Sequence, residues 1–157
     1  MKTDNVLIRL ATSRDTNDVS SIYLASRKKF LDFASLVHSD EDIRQWIASI
    51  IAKGHITVAE RNKQTLGMIA LSKTENMGCI DQLYVLPSAM NQGIGSLLIE
   101  FAKASLGSPI QLYTFQQNII AQRFYEQHGF EAILFRDGSK NEENCPDILF
   151  KWSKKKQ

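Results

Sequence analysis

The chain has 157 residues, 43% of them apolar and 23% charged, the balance of one globular domain with a sizeable core. Its 19 basic and 17 acidic side chains leave a formal charge of +2, too small a field to argue for nucleic acid or an anionic membrane as partner. No apolar run reaches the length of a membrane span, and residues 1–9 lack the long apolar core of a signal peptide, so the expectation is one cytoplasmic domain over residues 1–157.

In chain order, residues 6–10 read as a first strand. Residues 15–30 carry Val19, Ile22, Tyr23 and Phe30 on one helical face,. Residues 39–53 form a second expected helix, with Ile43, Trp46, Ile47 and Ile50 as its stripe, Ser39 and Asp42 as a capping pair, and Gly54 as the stop,. Residues 56–60 and 66–71 read as a hairpin turning at 61–64,.

Residues 79–85 are the next strand. Cys79 in it reads as a small core residue, and Cys145 lies far away with no Cys-x-x-Cys, so neither a disulfide nor a zinc framework is expected,. A helix follows at 94–106, with Ile94, Leu97, Leu98 and Phe101 on its buried face, and then a strand at 109–115. Asn118 caps a helix whose stripe is Ala121, Phe124, Tyr125 and His128, ended by Gly129,. Strands at 132–136 and 148–152 flank a polar loop, 137–146, and the Lys154-Lys155-Lys156 tail reads as a solvated terminus. The central strand–helix–strand predicts a parallel pair with a right-handed crossover, and the outer strands predict antiparallel pairing. The fold class is therefore α/β, a mixed, mostly antiparallel sheet with helices on both faces.

The most informative stretch runs Leu83-Tyr84-Val85-Leu86-Pro87, a short polar turn, then Met90-Asn91-Gln92-Gly93-Ile94-Gly95-Ser96 into a helix. Bare N–H groups at a helix start, beside a strand end, suit a ligand with a phosphate at one end and an amide-rich arm at the other. A dinucleotide fingerprint would need a third glycine where Leu98 stands, and no Gly-Lys-Ser/Thr of a P-loop occurs,.

On these residues the chain resembles the GNAT superfamily of acyl-CoA N-acyltransferases, whose core motif is Arg/Gln-x-x-Gly-x-Gly/Ala after an apolar strand and a nearby proline. Met90 stands where the family has Arg or Gln. A second match lies downstream, with Asn118 seven residues before Tyr125 and then Glu126, His128, Gly129 and Phe130. The resemblance implies a GNAT-type sheet and acetyl-CoA as co-substrate, with no metal. It further implies a pantetheine arm along Leu83, Tyr84 and Val85 and a diphosphate on the amides of Asn91, Gln92, Gly93, Ile94, Gly95 and Ser96. Asn118 would contact the cofactor, and Tyr125 would point at its sulfur. Read alone, Asn118 is a helix cap and Tyr125 a core aromatic. The acceptor would be an amine of a small molecule or peptide, attacked directly in a ternary complex, and a homodimer stays open. The alternative is a non-catalytic acyl-CoA-binding or regulatory domain of the same fold.

Acetyl transfer to an amine carries two proton problems. A lysine-type amine has a pKa of about 10.4, so neutralising it at pH 7 costs about 4.6 kcal/mol. The leaving thiol, with a pKa of about 8.5, needs only modest help, and Tyr125 suits that side as a hydrogen-bond donor to developing charge on sulfur. For the base, some family members carry a Glu five residues before the Asn, where this chain has Tyr113. Asp81 is the first candidate. It alternates with Cys79, Leu83 and Val85, and partial burial in such an apolar row would raise its pKa. A structural Asp paired with Lys or Arg is the alternative, and a water chain serves without a base. His38 is a second candidate in an interhelix loop, His55 carries no signal, and His128 suits a cationic helix C-cap. Asp137, Glu142, Glu143 and Asp147 could rim a cationic acceptor, although a solvated acidic loop is the simpler reading.

Overall fold

The computed structural model describes residues 4–155. The first three residues of the 1–9 segment and Lys156 of the basic tail lie outside the described residues. A seven-stranded sheet carries the chain, in the order β1-β2-β3-β4-β5-β7-β6. The strands are β1 Leu7–Leu10, β2 Ile56–Arg61, β3 Gln64–Lys73, β4 Gly78–Val85, β5 Ile110–Phe115, β6 Glu131–Arg136 and β7 Asp147–Trp152. The helices are α1 Thr16–Phe30, α2 Asp40–Ala52, α3 Ile94–Leu106 and α4 Ile119–Gln127. All neighbours pair antiparallel except β4 and β5, which are parallel. The expected mixed sheet with a central β4–α3–β5 crossover is the one observed.

Alternation along β2 and β3 builds two cores at once. Val58, Met68 and Ala70 turn towards α1 and α2, where they meet Val19, Ile22, Ile43 and Ile47. Ala59, Leu66 and Ile69 turn the other way, under Ile94, Leu98 and Ile99 of α3. Each Val, Leu, Ile or Met side chain so buried contributes about 1.5–3 kcal/mol, and the central strands are buried on both faces because helices cover both.

Two boundaries and one buried face differ from the sequence expectation for identifiable reasons. The hairpin turns on two residues only, Asn62 (φ 52°) and Lys63 (φ 65°). Two successive positive φ angles make a tight turn that matches strand twist, so β3 starts at Gln64 rather than 66,. The first helix begins after a 3-10 turn at Ser13–Asp15. Asp15 there accepts from Thr12 N at 2.7 Å and pairs with Arg9 Nη1 at 2.8 Å. The buried stripe of α3 is Ile94, Leu98, Ile99 and Ala102, with Leu97 and Phe101 only half-buried. Gly67 explains that rotation, since a Cβ there would stand 3.2 Å from both Ile94 Cγ2 and Leu98 Cδ1. The expected caps are present: Ser39 Oγ accepts from Asp42 N at 3.1 Å, and Asn118 Oδ1 from Ala121 N at 3.2 Å.

Two local irregularities interrupt the sheet at its centre. β4 and β5 are paired only at Gly78–Ile110 and Cys79–Gln111, after which they diverge. Against β3, Ala70 pairs with Gln82 and Leu71 with Ile80, so Asp81 is the extra residue of a β-bulge.

Candidate active site

A cleft of about 890 Å³ opens where β4 and β5 part, between α3, α4 and the end of α1. Of the residues singled out in the sequence, Leu83, Tyr84, Val85, Asn91, Gly93, Ile94, Gly95, Ser96, Asn118, Tyr125 and Asp81 all line it. Gln92 does not. Its Oε1 accepts from Arg61 Nη2 at 3.0 Å instead.

The turn into α3 is shaped by Asn91 (φ 63°) and by Gly93 (φ 85°), which is the N-cap. Leu97 N bonds Gly93 O at 3.1 Å, and helix geometry leaves the Ile94, Gly95 and Ser96 amides without an intrahelical acceptor. With the helix dipole behind them they form a seat for an anion. Gly95 is required for packing as well. A Cβ there would stand 3.0 Å from Phe124 Cζ, so α4 approaches α3 only over bare backbone.

Asn118 caps α4 through Oδ1, which leaves its Nδ2 donors for a ligand. Tyr125 is both core and cleft. It is 8% exposed, edge-to-face with Phe124 at 5.4 Å and Phe130 at 5.8 Å. Burial, and then the neighbouring Tyr84, hold its phenol well above the ordinary tyrosine value. Tyr84 itself is pushed up to about 12, first by burial. Both are neutral O–H donors at pH 7, and Tyr125 is a weaker acid than its sequence context suggested.

Asp81 departs from expectation. The bulge breaks the period of two at this residue, so Ile80, Leu83 and Val85 face the α3 and α4 core. Asp81 lines the cleft but is exposed. It is not in an apolar row, and the burial argument for its basicity falls away. His128 departs too. The C-terminus of α4 receives Lys103, whose Nζ bonds His128 O at 2.7 Å. Burial, and then Lys103, lower the His128 pKa against a smaller raising effect of Glu100, 3.8 Å from Nδ1, so the cationic cap is disfavoured. Its Nε2 meets Ser96 Oγ at 3.0 Å.

The 137–146 loop is built rather than merely solvated. Gly138 (φ 95°) lies against the Cys145 backbone, where a Cβ would come within 2.7 Å. Asn141 Nδ2 donates to Cys145 O at 2.7 Å, and Cys145 N donates to Asn141 Oδ1 at 3.1 Å. At its end, Arg136 donates to both carboxylate oxygens of Asp147, at 2.7 and 2.6 Å. That pairing holds the Asp147 carboxyl below its ordinary value.

The loop reaches across to α1. Glu143 Oε2 accepts from Arg27 Nη1 at 3.2 Å, and Glu142 Oε2 meets His38 Nε2 at 3.0 Å. Arg27 is 5% exposed, its guanidinium stands 5.8 Å from the Tyr23 ring centre, and its Nε has no hydrogen-bond partner among the described residues. Sequence reasoning missed Arg27, Gln82, Asn141 and the folded role of Glu143. The one available signal was a cation four residues after Tyr23, on the apolar stripe of α1. Among the described residues no group of His, Cys, Asp and Glu is arranged to hold a metal ion, and no helix is long and apolar enough to cross a membrane.

The chain is similar to known proteins in both sequence and fold. A family model described as "Acetyltransferase (GNAT) domain" matches residues 52–132. An uncharacterized N-acetyltransferase of Archaeoglobus fulgidus is 28% identical over 130 residues, 75% of this chain and 88% of its own length. An aminoalkylphosphonate N-acetyltransferase of Salmonella typhimurium is 29% identical over 140 residues, 82% of this chain and 87% of its own. Among solved structures, the apo form of YjaB from Escherichia coli superposes with a TM-score of 0.76 at 20% identity, covering 94% of this chain and 97% of its own. The PaiA N-acetyltransferase of Thermoplasma acidophilum, in complex with coenzyme A, gives 0.75 at 20% identity over 95% and 99%. At such identities these structures bear on the fold alone.

Proposed function

The chain belongs to the GNAT acetyltransferase family, and from that premise we propose that it acetylates an amine by direct attack on acetyl-CoA in a ternary complex. The observation that carries the reading is the cleft, in which a helix-start anion seat, two open strand edges and the Tyr125 phenol line one cavity. When bound, acetyl-CoA supplies an acyl group activated as a thioester. The Ile94, Gly95 and Ser96 amides hold the diphosphate, and the backbone groups of Leu83 to Val85 turned away from β3 hold the pantetheine amides, beside the Ser26 hydroxyl on Val85 O at 3.3 Å. Asn118 Nδ2 donates to the cofactor arm.

In the transfer, a bond forms between the amine nitrogen and the acyl carbon, and the carbon–sulfur bond breaks with its electron pair on sulfur. The Tyr125 O–H hydrogen-bonds that developing charge. With a phenol pKa held high by burial, it stabilises the thiolate rather than surrendering its proton first. The cationic amine first loses one proton through water at the exposed carboxylate of Asp81 or at Glu143, both of which line the cleft. The second nitrogen proton, released as the amide forms, passes through water to the thiolate and gives CoA–SH.

The organisation as one domain over residues 1–157 and the cytoplasmic location belong to the same proposal. So does a homodimer, for which the outer edge of β6 fits a second copy. Ile133, Leu134 and Phe135 are exposed there, on a strand paired on one side only,.

A thiol-release assay with acetyl-CoA and a panel of amines tests the reading. The panel spans polyamines, aminoglycosides, amino acids, peptide N-termini and aminoalkylphosphonates, the last because the Salmonella relative is named for them. Acetylation of at least one class is expected. Failure of calorimetry to detect CoA binding at millimolar concentration would overturn the proposal.

A further inference from the structure

A second cavity, of about 590 Å³, lies between α1, α2 and the 137–146 loop. It shares Gln82, Asn141 and Glu143 with the cofactor cleft, so the two spaces meet beside the β4 bulge. An acyl group presented from the cleft and an amine entering from this cavity would meet at those three residues.

Its walls have two characters. Apolar side chains gather at the outer part: Leu36, Val37 and Trp46 are 40%, 56% and 39% exposed, and Trp46 stands edge-to-face with Tyr23 at 5.6 Å. Exposed apolar side chains collected at a cavity mark a surface that covers something. The charged walls are Asp42, Glu142 and Glu143 against the guanidinium of Arg27.

That guanidinium is not a seat for an anion. Nη1 is taken by Glu143, the guanidinium stands 5.8 Å from both the Tyr23 and Phe115 ring centres, and Nε is buried within the wall. Arg27 therefore orients Glu143 at the junction, while the carboxylates of Asp42 and Glu142 lie in the outer part, one oxygen of Glu142 meeting His38. His38, on Glu142 at 3.0 Å, is a further titratable group in the wall, and it too has its partner.

Resting on the acetyl-transfer reading above, in which the acceptor enters through this cavity, we propose that the acceptor is an amine with a second cationic group beyond an apolar spacer. The reacting amine sits at Glu143, Gln82 and Asn141. The spacer lies along Tyr23 and Trp46, and the distal cation meets Asp42 and Glu142 with the Trp46 face beside it. An amine carrying a phosphonate or carboxylate at that distance brings like charge against both carboxylates.

The test compares kcat/KM by thiol release for 1,4-diaminobutane, butylamine and 3-aminopropylphosphonate. The diamine is expected to exceed butylamine about tenfold and the phosphonate about a hundredfold, each tenfold step being about 1.4 kcal/mol. In Asp42→Asn/Glu142→Gln the diamine-to-butylamine ratio should fall to about one, with the Kd for CoA unchanged. Calorimetry with 1,4-diaminobutane on the CoA-loaded protein should detect binding that the double variant loses. Equal or faster turnover of the phosphonate, or a ratio untouched by the double variant, overturns the proposal and leaves acetyl transfer standing. CoA binding with no acetylation of any amine overturns the acetyl-transfer reading itself.

Discussion

The two halves of the site are built by different means. The half proposed for the cofactor is mostly backbone: amides at the start of α3 and two diverging strand edges, with the Asn118 side chain capping α4. The half proposed for the acceptor is side chains joined over long stretches of chain, with Arg27 to Glu143 separated by 116 residues and His38 to Glu142 by 104. Backbone seats fit a shape many ligands share, whereas long-range side-chain pairs set a local charge pattern. On the proposed reading, a donor common to a family and an acceptor particular to one member follow from that division.

Variants that strike one half only would break or sharpen the contrast. The largest effect is expected from Arg27→Met, which leaves the Glu143 carboxylate, 13% exposed, without its partner. Loss of about 3 kcal/mol in urea unfolding is expected, with Arg27→Met/Glu143→Gln recovering part of it. A fully stable single variant would mean that the pair does not organise the acceptor half. Next is Tyr125→Phe, for which kcat should fall about 100-fold while calorimetric CoA affinity holds within about twofold. An unchanged kcat removes Tyr125 from the chemistry and leaves it to the core.

Gly138→Ala is expected to lower stability by about 1–2 kcal/mol, because a Cβ would meet the Cys145 backbone at 2.7 Å. Acceptor KM should rise with the CoA Kd unchanged; a matching loss of CoA affinity would show the halves to be coupled. The smallest effect is a pH dependence at His128. Its folded pKa lies below the ordinary value through burial and Lys103. Between its lowered folded value and about pH 6.5 the unfolded chain binds the proton more fully than the folded chain. Stability should therefore rise with pH up to about 6.5 and level off above it. His128→Gln should flatten that slope in denaturation measured from pH 5 to 8.

Legibility in the sequence followed the same division. Helix caps such as Ser39 and Asn118, and the Gly93 turn, are local chemistry within four residues and could be read directly. So could the β4–α3–β5 crossover, because strand and helix periods fix it. Asp81 could not be read correctly, because one bulged residue shifts every later side chain to the opposite face. His128 misled because the cation at the end of α4 comes from Lys103 on α3. Glu143 looked like one acid in a solvated loop until the fold brought Arg27 beneath it. Nothing in a local window marks a partner more than a hundred residues away.

The fork between β4 and β5 has a consequence of another kind. Past Cys79 and Gln111 each strand is paired on its outer side only, so two sheet edges lie inside the molecule. A sheet edge is ordinarily a hazard at the rim, where unpaired N–H and C=O groups recruit foreign strands. Here α3 and α4 flank the edges within the cleft. A bound pantetheine arm would then serve as an eighth, non-peptide strand. Amides of β4 beyond the fork should exchange with deuterium quickly in the free protein and slowly once that place is filled.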